Sequence, residues 1–211
     1  SRLKGFPSHQ SAIAVAEAGL QGWDLLQGDL MLPMAVLRES ALAHNLRWMA
    51  QFCRERGLDL APHGKTTMSP ELWRRQIESG AWAISLATVF QGSVAARHGV
   101  HRVLIPNQVL QWAELDALLH LQEELPGWWV SFLVDSEAQV AQIEAWARDR
   151  EWPGRWPVLL EIGVDGQRTG CRHADEALAL ARRVRASHSL RLVGVECYEG
   201  PLASCDHEKD R

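Results

Sequence analysis

The chain holds 19 arginines but only three lysines, Lys4, Lys65 and Lys209. Two of these lie near the ends, which leaves Lys65 as the single primary amine inside the folded body. A lysine at the mouth of an apolar barrel loses part of its hydration, and this lowers its pKa and makes a neutral, nucleophilic amine accessible near pH 7. Such an amine can condense with a carbonyl carbon. The competing role is a side chain that reaches solvent or pairs with a carboxylate. His63 stands two residues earlier, and period two puts it on the same side of an extended segment. It can reach the same site or serve as a hydrogen-bonded core histidine.

Later apolar runs end in Thr88, in Asn107 and Gln108, in Asp135, in Asp165 and Arg168, and in Glu196, Tyr198 and Glu199. Collected on one face, these groups make a small-molecule site. Strand ends lead into polar loops in any protein, so the set by itself names no reaction. Asn107 fits a pocket wall or a turn-capping amide. Cys171 and His173, and Cys205 and His207, have ligand-like spacing, but each pair lacks the further ligands of a zinc site. The four cysteines form no CxxC and read as reduced thiols.

The elements that must position these groups are seven short apolar runs, at residues 33–37, 58–62, 81–87, 102–105, 128–134, 157–162 and 190–195. Most lack in–out alternation, as strands of a parallel sheet covered on both faces do. Between them come segments of period 3.6. Residues 40–56 place Leu42, Leu46, Met49 and Cys53 on one stripe. Ser69, Pro70 and Glu71 start a second helix that Gly80 closes. Ser136 caps a helix carrying Val140, Ile143 and Ala147, and residues 174–186 place Leu178, Ala181 and Val184 on one face. This alternation predicts an α/β fold with right-handed crossovers. No GxGxxG follows the first run, which removes the main support for a dinucleotide-binding sheet. The expectation is a (β/α)8 TIM-type barrel, truncated after about seven strands, since a full barrel takes ~250 residues. Residues 1–30 read as a lead-in with a short helix near residues 11–18, and residues 31–211 as the incomplete barrel domain.

Composition narrows the partners. A net charge of −4 gives no reason to expect nucleic acid or an anionic membrane. No apolar run approaches the roughly 20 residues of a membrane span, and the first residues lack the apolar core of a secretory signal. A cytoplasmic protein is expected. Of the ten tryptophans, Trp48, Trp73, Trp112 and Trp146 fall in helical segments and are expected to pack helix on barrel. The absent initial Met and the charged last residues read as a piece of a longer protein.

The segment Leu60-Ala-Pro-His-Gly-Lys65-Thr-Thr-Met-Ser-Pro-Glu71 resembles the lysine motif of the fold-type III pyridoxal-phosphate enzymes, the alanine racemase-like barrels. Within them it is similar to the branch of D-threonine aldolases, D-serine dehydratases and D-amino-acid deaminases. Glu161-Ile-Gly-Val-Asp-Gly-Gln-Arg168-Thr-Gly170 resembles the sixth-strand motif of that family, and Gly194-Val-Glu-Cys-Tyr198-Glu-Gly200 the seventh. Gly80-Ala-Trp-Ala-Ile-Ser-Leu-Ala-Thr88 and Val103-Leu-Ile-Pro-Asn107-Gln108 also read like the deaminase branch. The resemblance implies that Lys65 holds pyridoxal 5'-phosphate as a Schiff base and, once freed by a D-amino acid, removes the α-proton. It implies that Arg168 donates to the cofactor's phenolic oxygen, against the competing reading of an ion pair with Asp165. Tyr198 would lie against the cofactor ring, and His63 and Asn107 would line it.

The activity so implied is elimination of water from a D-hydroxy-amino acid, such as D-serine or D-threonine, to give ammonia and a 2-oxo acid. Retro-aldol cleavage of D-threonine is the nearest alternative. Racemisation needs a second base that is not found, and a non-catalytic pyridoxal-phosphate carrier needs an eighth strand and a phosphate loop. In the family, the phosphate loop, the partner of the pyridine nitrogen and a divalent metal held by a C-terminal β domain all come later than Arg211. Residues 1–211 are therefore expected to carry the Schiff-base lysine without efficient turnover alone. A homodimer is expected for the full-length form.

Overall fold

The computed structural model describes residues 5–7 and 13–200. Lys4, Lys209, Cys205 and His207 lie outside the described residues, as does the start of the helix expected near residues 11–18. The chain divides into two compact units between Asn45 and Leu46.

In the first unit, the described part of the lead-in forms two 3-10 helices, Val15–Leu20 and Leu25–Gln27. The expected α-helix is thus replaced by tighter turns, one of them braced where the Ala14 N–H donates to Glu17 Oε2 at 3.2 Å. The apolar run at residues 33–37 forms no strand. Val36 and Leu37 are 59% and 70% exposed, and no strand among the described residues pairs with them. An apolar composition makes a strand only where a neighbour supplies the ladder. Helix α1 (Glu39–Arg56) contains the division between the units, and none of its residues is buried. Its predicted stripe is therefore half-covered at best, and Trp48 is exposed and stacked on Phe52 at 5.4 Å rather than packed on a barrel.

The second unit is built on five parallel strands, β1 (Ile84–Ser85), β2 (Arg102–Gln108), β3 (Trp129–Val134), β4 (Trp156–Ile162) and β5 (Leu190–Cys197). They lie in the sheet in chain order, β1-β2-β3-β4-β5. A doubly wound sheet reverses its strand order at a switch point. An unreversed order is the wall of a singly wound barrel, truncated relative to a closed one. Helices α2 (Pro70–Glu78), α3 (Val89–Arg97), α4 (Trp112–Glu124), α5 (Glu137–Asp149) and α6 (Ala174–Ala186) complete the unit. The run at residues 58–62 runs beside β1 but forms no ladder strand, and the segment pairs with it in an isolated bridge between His63 and Ser85. Pro62 has no N–H to offer a ladder.

Val103, Ile105, Val130, Phe132, Val134, Val158 and Leu160 form the helix-facing layer of the sheet, and all are fully or almost fully buried. Trp146, Trp152 and Trp156 pack ring against ring, Trp152 stacking on Trp156 at 4.6 Å. The Trp146 indole N–H donates to Asp116 Oδ1 at 2.8 Å, so its polar atom is satisfied inside the core. Ser136 caps α5 by accepting from Gln139 N, and Val140, Ile143 and Ala147 are buried. Helix α6 buries Ala177, Leu180 and Val184, while Leu178 is 51% exposed. The helix is thus rotated from its predicted face, because the i, i+3, i+7 row 177/180/184 meets the sheet. Period two turns the alternate strand positions, Ser85, Ser131 and Glu161, to the opposite face of the sheet, and all three are buried there.

Candidate functional site

Lys65 is presented by a turn built around Gly64. The extended segment before it is tied to the first strand by three backbone bonds: Trp82 N–H to Leu60 O at 2.7 Å, Ser85 N–H to Pro62 O at 2.9 Å, and Gly64 N–H to Ser85 O at 2.8 Å. Gly64 is buried, and the Trp73 indole N–H donates to its carbonyl at 3.3 Å. A Cβ at this position would lie 2.3 Å from that indole nitrogen and 2.7 Å from Ile84 Cγ2, so only glycine fits. Met68 N–H then closes the turn on Gly64 O at 3.0 Å, and α2 begins at Pro70. The chain leaves the wall here with His63 and Lys65 both exposed at the strand's end.

His63 and Lys65 are electrostatically coupled. Burial of part of its ring, and then the neighbouring Lys65 charge, pull His63 below its ordinary value of 6.5. Gln91 binds the Lys65 turn to the end of β1: its Oε1 accepts from Ala87 N at 2.9 Å and its Nε2 reaches Lys65 O at 3.5 Å. Thr88 caps α3 by accepting from Gln91 N. Asn107 joins the next strand end, donating from Nδ2 to Ala87 O at 3.4 Å and accepting from Gln108 N at 3.1 Å.

A second group of residues gathers where β4 and β5 end. Glu161 is 5% exposed and is held by two donors, Gln108 Nε2 at 2.5 Å and Thr169 Oγ1 at 2.9 Å. Its register partner on β5 is Glu196, whose Oε2 is buried with no hydrogen-bond partner. Burial first, and then the Glu161 charge, push the Glu196 carboxyl above its ordinary value, and Arg168 opposes them. The Arg168 guanidinium lies over the Tyr198 ring, 5.0 Å from its centroid. Both line a crevice with Glu161 and Thr169. Asp165 accepts from Gly166 N through Oδ1, and Asp135 Oδ2 accepts from Gly170 N at 3.0 Å, so both carboxylates serve the loop backbone.

Of the five residues singled out from sequence, the structure thus pairs His63 with Lys65 and Arg168 with Tyr198. Asn107 stands on the Lys65 side, and the strand step from Asn107 to Gln108 links the two groups through Glu161. Gln108 was named only as a strand-end group and Glu161 only within its motif, although a carboxylate inside the apolar run 157–162 was a readable signal of a buried polar site.

The side chains fit a pyridine aldehyde with an anionic ring oxygen. They offer one primary amine for the aldehyde carbon, a guanidinium for an anionic ring oxygen, an aromatic face, and an orphaned buried carboxyl oxygen. Among the described residues, no three His, Cys, Asp or Glu side chains gather as a metal-binding group, and Cys171 Sγ contacts Asp135 O at 3.5 Å. No helix among them is long and apolar enough to cross a membrane.

Residues 37–209 match the family described as the alanine racemase N-terminal domain, and the chain belongs to that family. It is similar to 3-hydroxy-D-aspartate aldolase of Paracoccus denitrificans, with 25% identity over 193 residues, covering 91% of this chain and 48% of the relative. Among solved structures, D-threonine aldolase from Filomicrobium marinum superposes with a TM-score of 0.71 at 28% identity, over 79% of this chain and 44% of that one. D-threo-3-hydroxyaspartate dehydratase from Delftia sp. HT23 gives 0.70 at 28% identity, over 81% and 44%. The chain spans about half the length of the curated relatives it matches.

Proposed function

We propose that this chain is the cofactor-bearing part of a pyridoxal-phosphate-dependent lyase acting on 3-hydroxy-D-amino acids, and that the reaction is elimination of water to ammonia and a 2-oxo acid. One observation carries the reading: the single lysine among the described residues sits on a turn that buried Gly64 and Trp73 hold beside the sheet that also presents Arg168 and Tyr198. The relatives support the class, since their names include both aldolases and a dehydratase of D-configured hydroxy-amino acids.

Bound there, pyridoxal phosphate supplies an electron sink for negative charge at the substrate α-carbon. The residues of this chain contribute their own roles beside it. Lys65 Nζ would hold the group and would accept the α-proton. Arg168 offers its guanidinium N–H groups to the anionic ring oxygen, and Tyr198 supports the ring face. Burial and the Lys65 charge hold His63 below its ordinary value of 6.5, which favours the neutral ring beside Lys65. Asn107 lines the site from the β2 end while bracing β1.

Elimination is preferred over retro-aldol cleavage because its first step needs a base at the α-proton, a role that Lys65 would fill. Cleavage needs a base at the substrate hydroxyl. The test is optical: the protein is loaded with pyridoxal phosphate and its absorbance followed on adding D-threonine or L-threonine. The expected result is a band shift with the D-isomer alone, with 2-oxo acid as any product that accumulates. Equal response to both isomers contradicts the reading, and glycine with an aldehyde as the products assigns the aldolase reaction instead.

A further inference from the structure

We propose that Arg172 is a positioning residue for the Arg168–Tyr198 pair, acting by gripping the loop that carries Arg168; its consequence for cofactor affinity rests on the function proposed above. Arg172 stands just before α6, yet its guanidinium turns back into the preceding loop. Nη1 donates to Val164 O at 2.7 Å and to Thr169 O at 3.0 Å. Nη2 donates to Gln167 O at 3.2 Å and to Arg168 O at 2.6 Å. One side chain thus takes four carbonyls from six consecutive residues.

The base of this loop is fastened by other means. Gly163 N–H donates to Cys171 O at 2.9 Å and Cys171 N–H to Glu161 O at 2.8 Å. Gly170, at φ +101°, passes so close to Gly163 that a Cβ there would lie 2.5 Å from the Gly163 nitrogen. Within the tip, the bonds besides those from Arg172 are Gly166 N–H to Asp165 Oδ1 and Gln167 N–H to Val164 O, while Thr169 Oγ1 and Gly170 N–H tie its far end to Glu161 and Asp135. Between these anchors, the peptide planes around Arg168, its own included, are held by Arg172. A guanidinium is a planar fork with five donors in fixed geometry, whereas an ammonium is a point charge on a flexible stem. A role in charge alone would be met by lysine. A role in orienting four carbonyls would not.

The chain's single tyrosine gives a direct reporter, because ring-labelled tyrosine yields one set of NMR signals, all from Tyr198. The ring shifts and pyridoxal-phosphate affinity are compared in wild type, Arg168→Gln, Arg172→Gln, Arg172→Lys and the Arg168→Gln/Arg172→Gln double variant. Both Arg172 variants are expected to move the Tyr198 signals in the sense of Arg168→Gln and to weaken cofactor binding at least tenfold. The double variant is expected to add little to Arg168→Gln alone. Wild-type Tyr198 signals in the Arg172 variants, or full rescue by lysine, overturn the proposal. So does loss of folding in both Arg172 variants, which would mean that the residue holds up the domain and not one loop. If the wild type takes up no cofactor, the functional reading fails, and the tyrosine signals still decide the role of Arg172.

Discussion

Glu161 and Glu196 are register partners on adjacent strands, yet their carboxyl groups have opposite surroundings. Glu161 accepts from Gln108 and Thr169, while Glu196 buries an oxygen that nothing donates to. A carboxyl whose folded value is raised contributes stability below its ordinary value, 4.5, and that contribution is lost as pH rises through the folded value. Replacing Glu196 with Gln removes the obligation to ionise beside Glu161. Melting curves should show the Gln variant more stable than wild type at pH 8 and equal to it below about pH 4.5, the ordinary value. A gap of the same size at both pH values would show that something other than this ionisation is at work.

Gly64 and Trp73 make the turn that presents Lys65, so the tightest test of that turn is one methyl group. Gly64→Ala is expected to destabilise the protein by about 1–3 kcal/mol, the usual range for overpacking a filled core, because the new Cβ meets the Trp73 indole and Ile84. Trp73→Phe, which loses the indole N–H to Gly64 O, should relieve part of this clash when the two changes are combined. Urea denaturation of the two single variants and the double variant measures the coupling. Strict additivity would mean that the indole does not confine Gly64.

His63 and Lys65 give a pH signature. With its folded value below 6.5, His63 stays neutral in the native protein while the unfolded chain takes up a proton. Stability should therefore fall as pH drops from 6.5 toward the lowered value, and His63→Gln should flatten that slope. In a histidine NMR titration, Lys65→Met should move the His63 midpoint only part of the way back to 6.5, since burial is the larger cause. A midpoint unmoved by Lys65→Met would show that the two side chains are not coupled.

Much of the sheet was legible because a parallel strand covered on both faces must be apolar along its whole length, and five of the seven apolar runs contain ladder strands. The run at residues 33–37 has the same composition but no neighbour among the described residues, and residue type cannot supply one. The face of α6 escaped for a related reason. Rows 177/180/184 and 178/181 share the same period, and contact with β4 and β5 decides between them. In the site, Lys65 was visible from its rarity and Arg168 and Tyr198 from their motifs. Glu161 acquires its meaning from Gln108, 53 residues earlier, and Arg172 from carbonyl groups that every residue carries. Neither relation leaves a mark in local composition.

The most direct measurement is borohydride reduction of the protein with pyridoxal phosphate, followed by peptide mapping by mass spectrometry. A pyridoxyl group confined to Lys65, and absent from Lys65→Ala, is the predicted result. Label spread over Lys4 and Lys209, with Lys65 unmodified, would contradict the claim that this turn is a cofactor site.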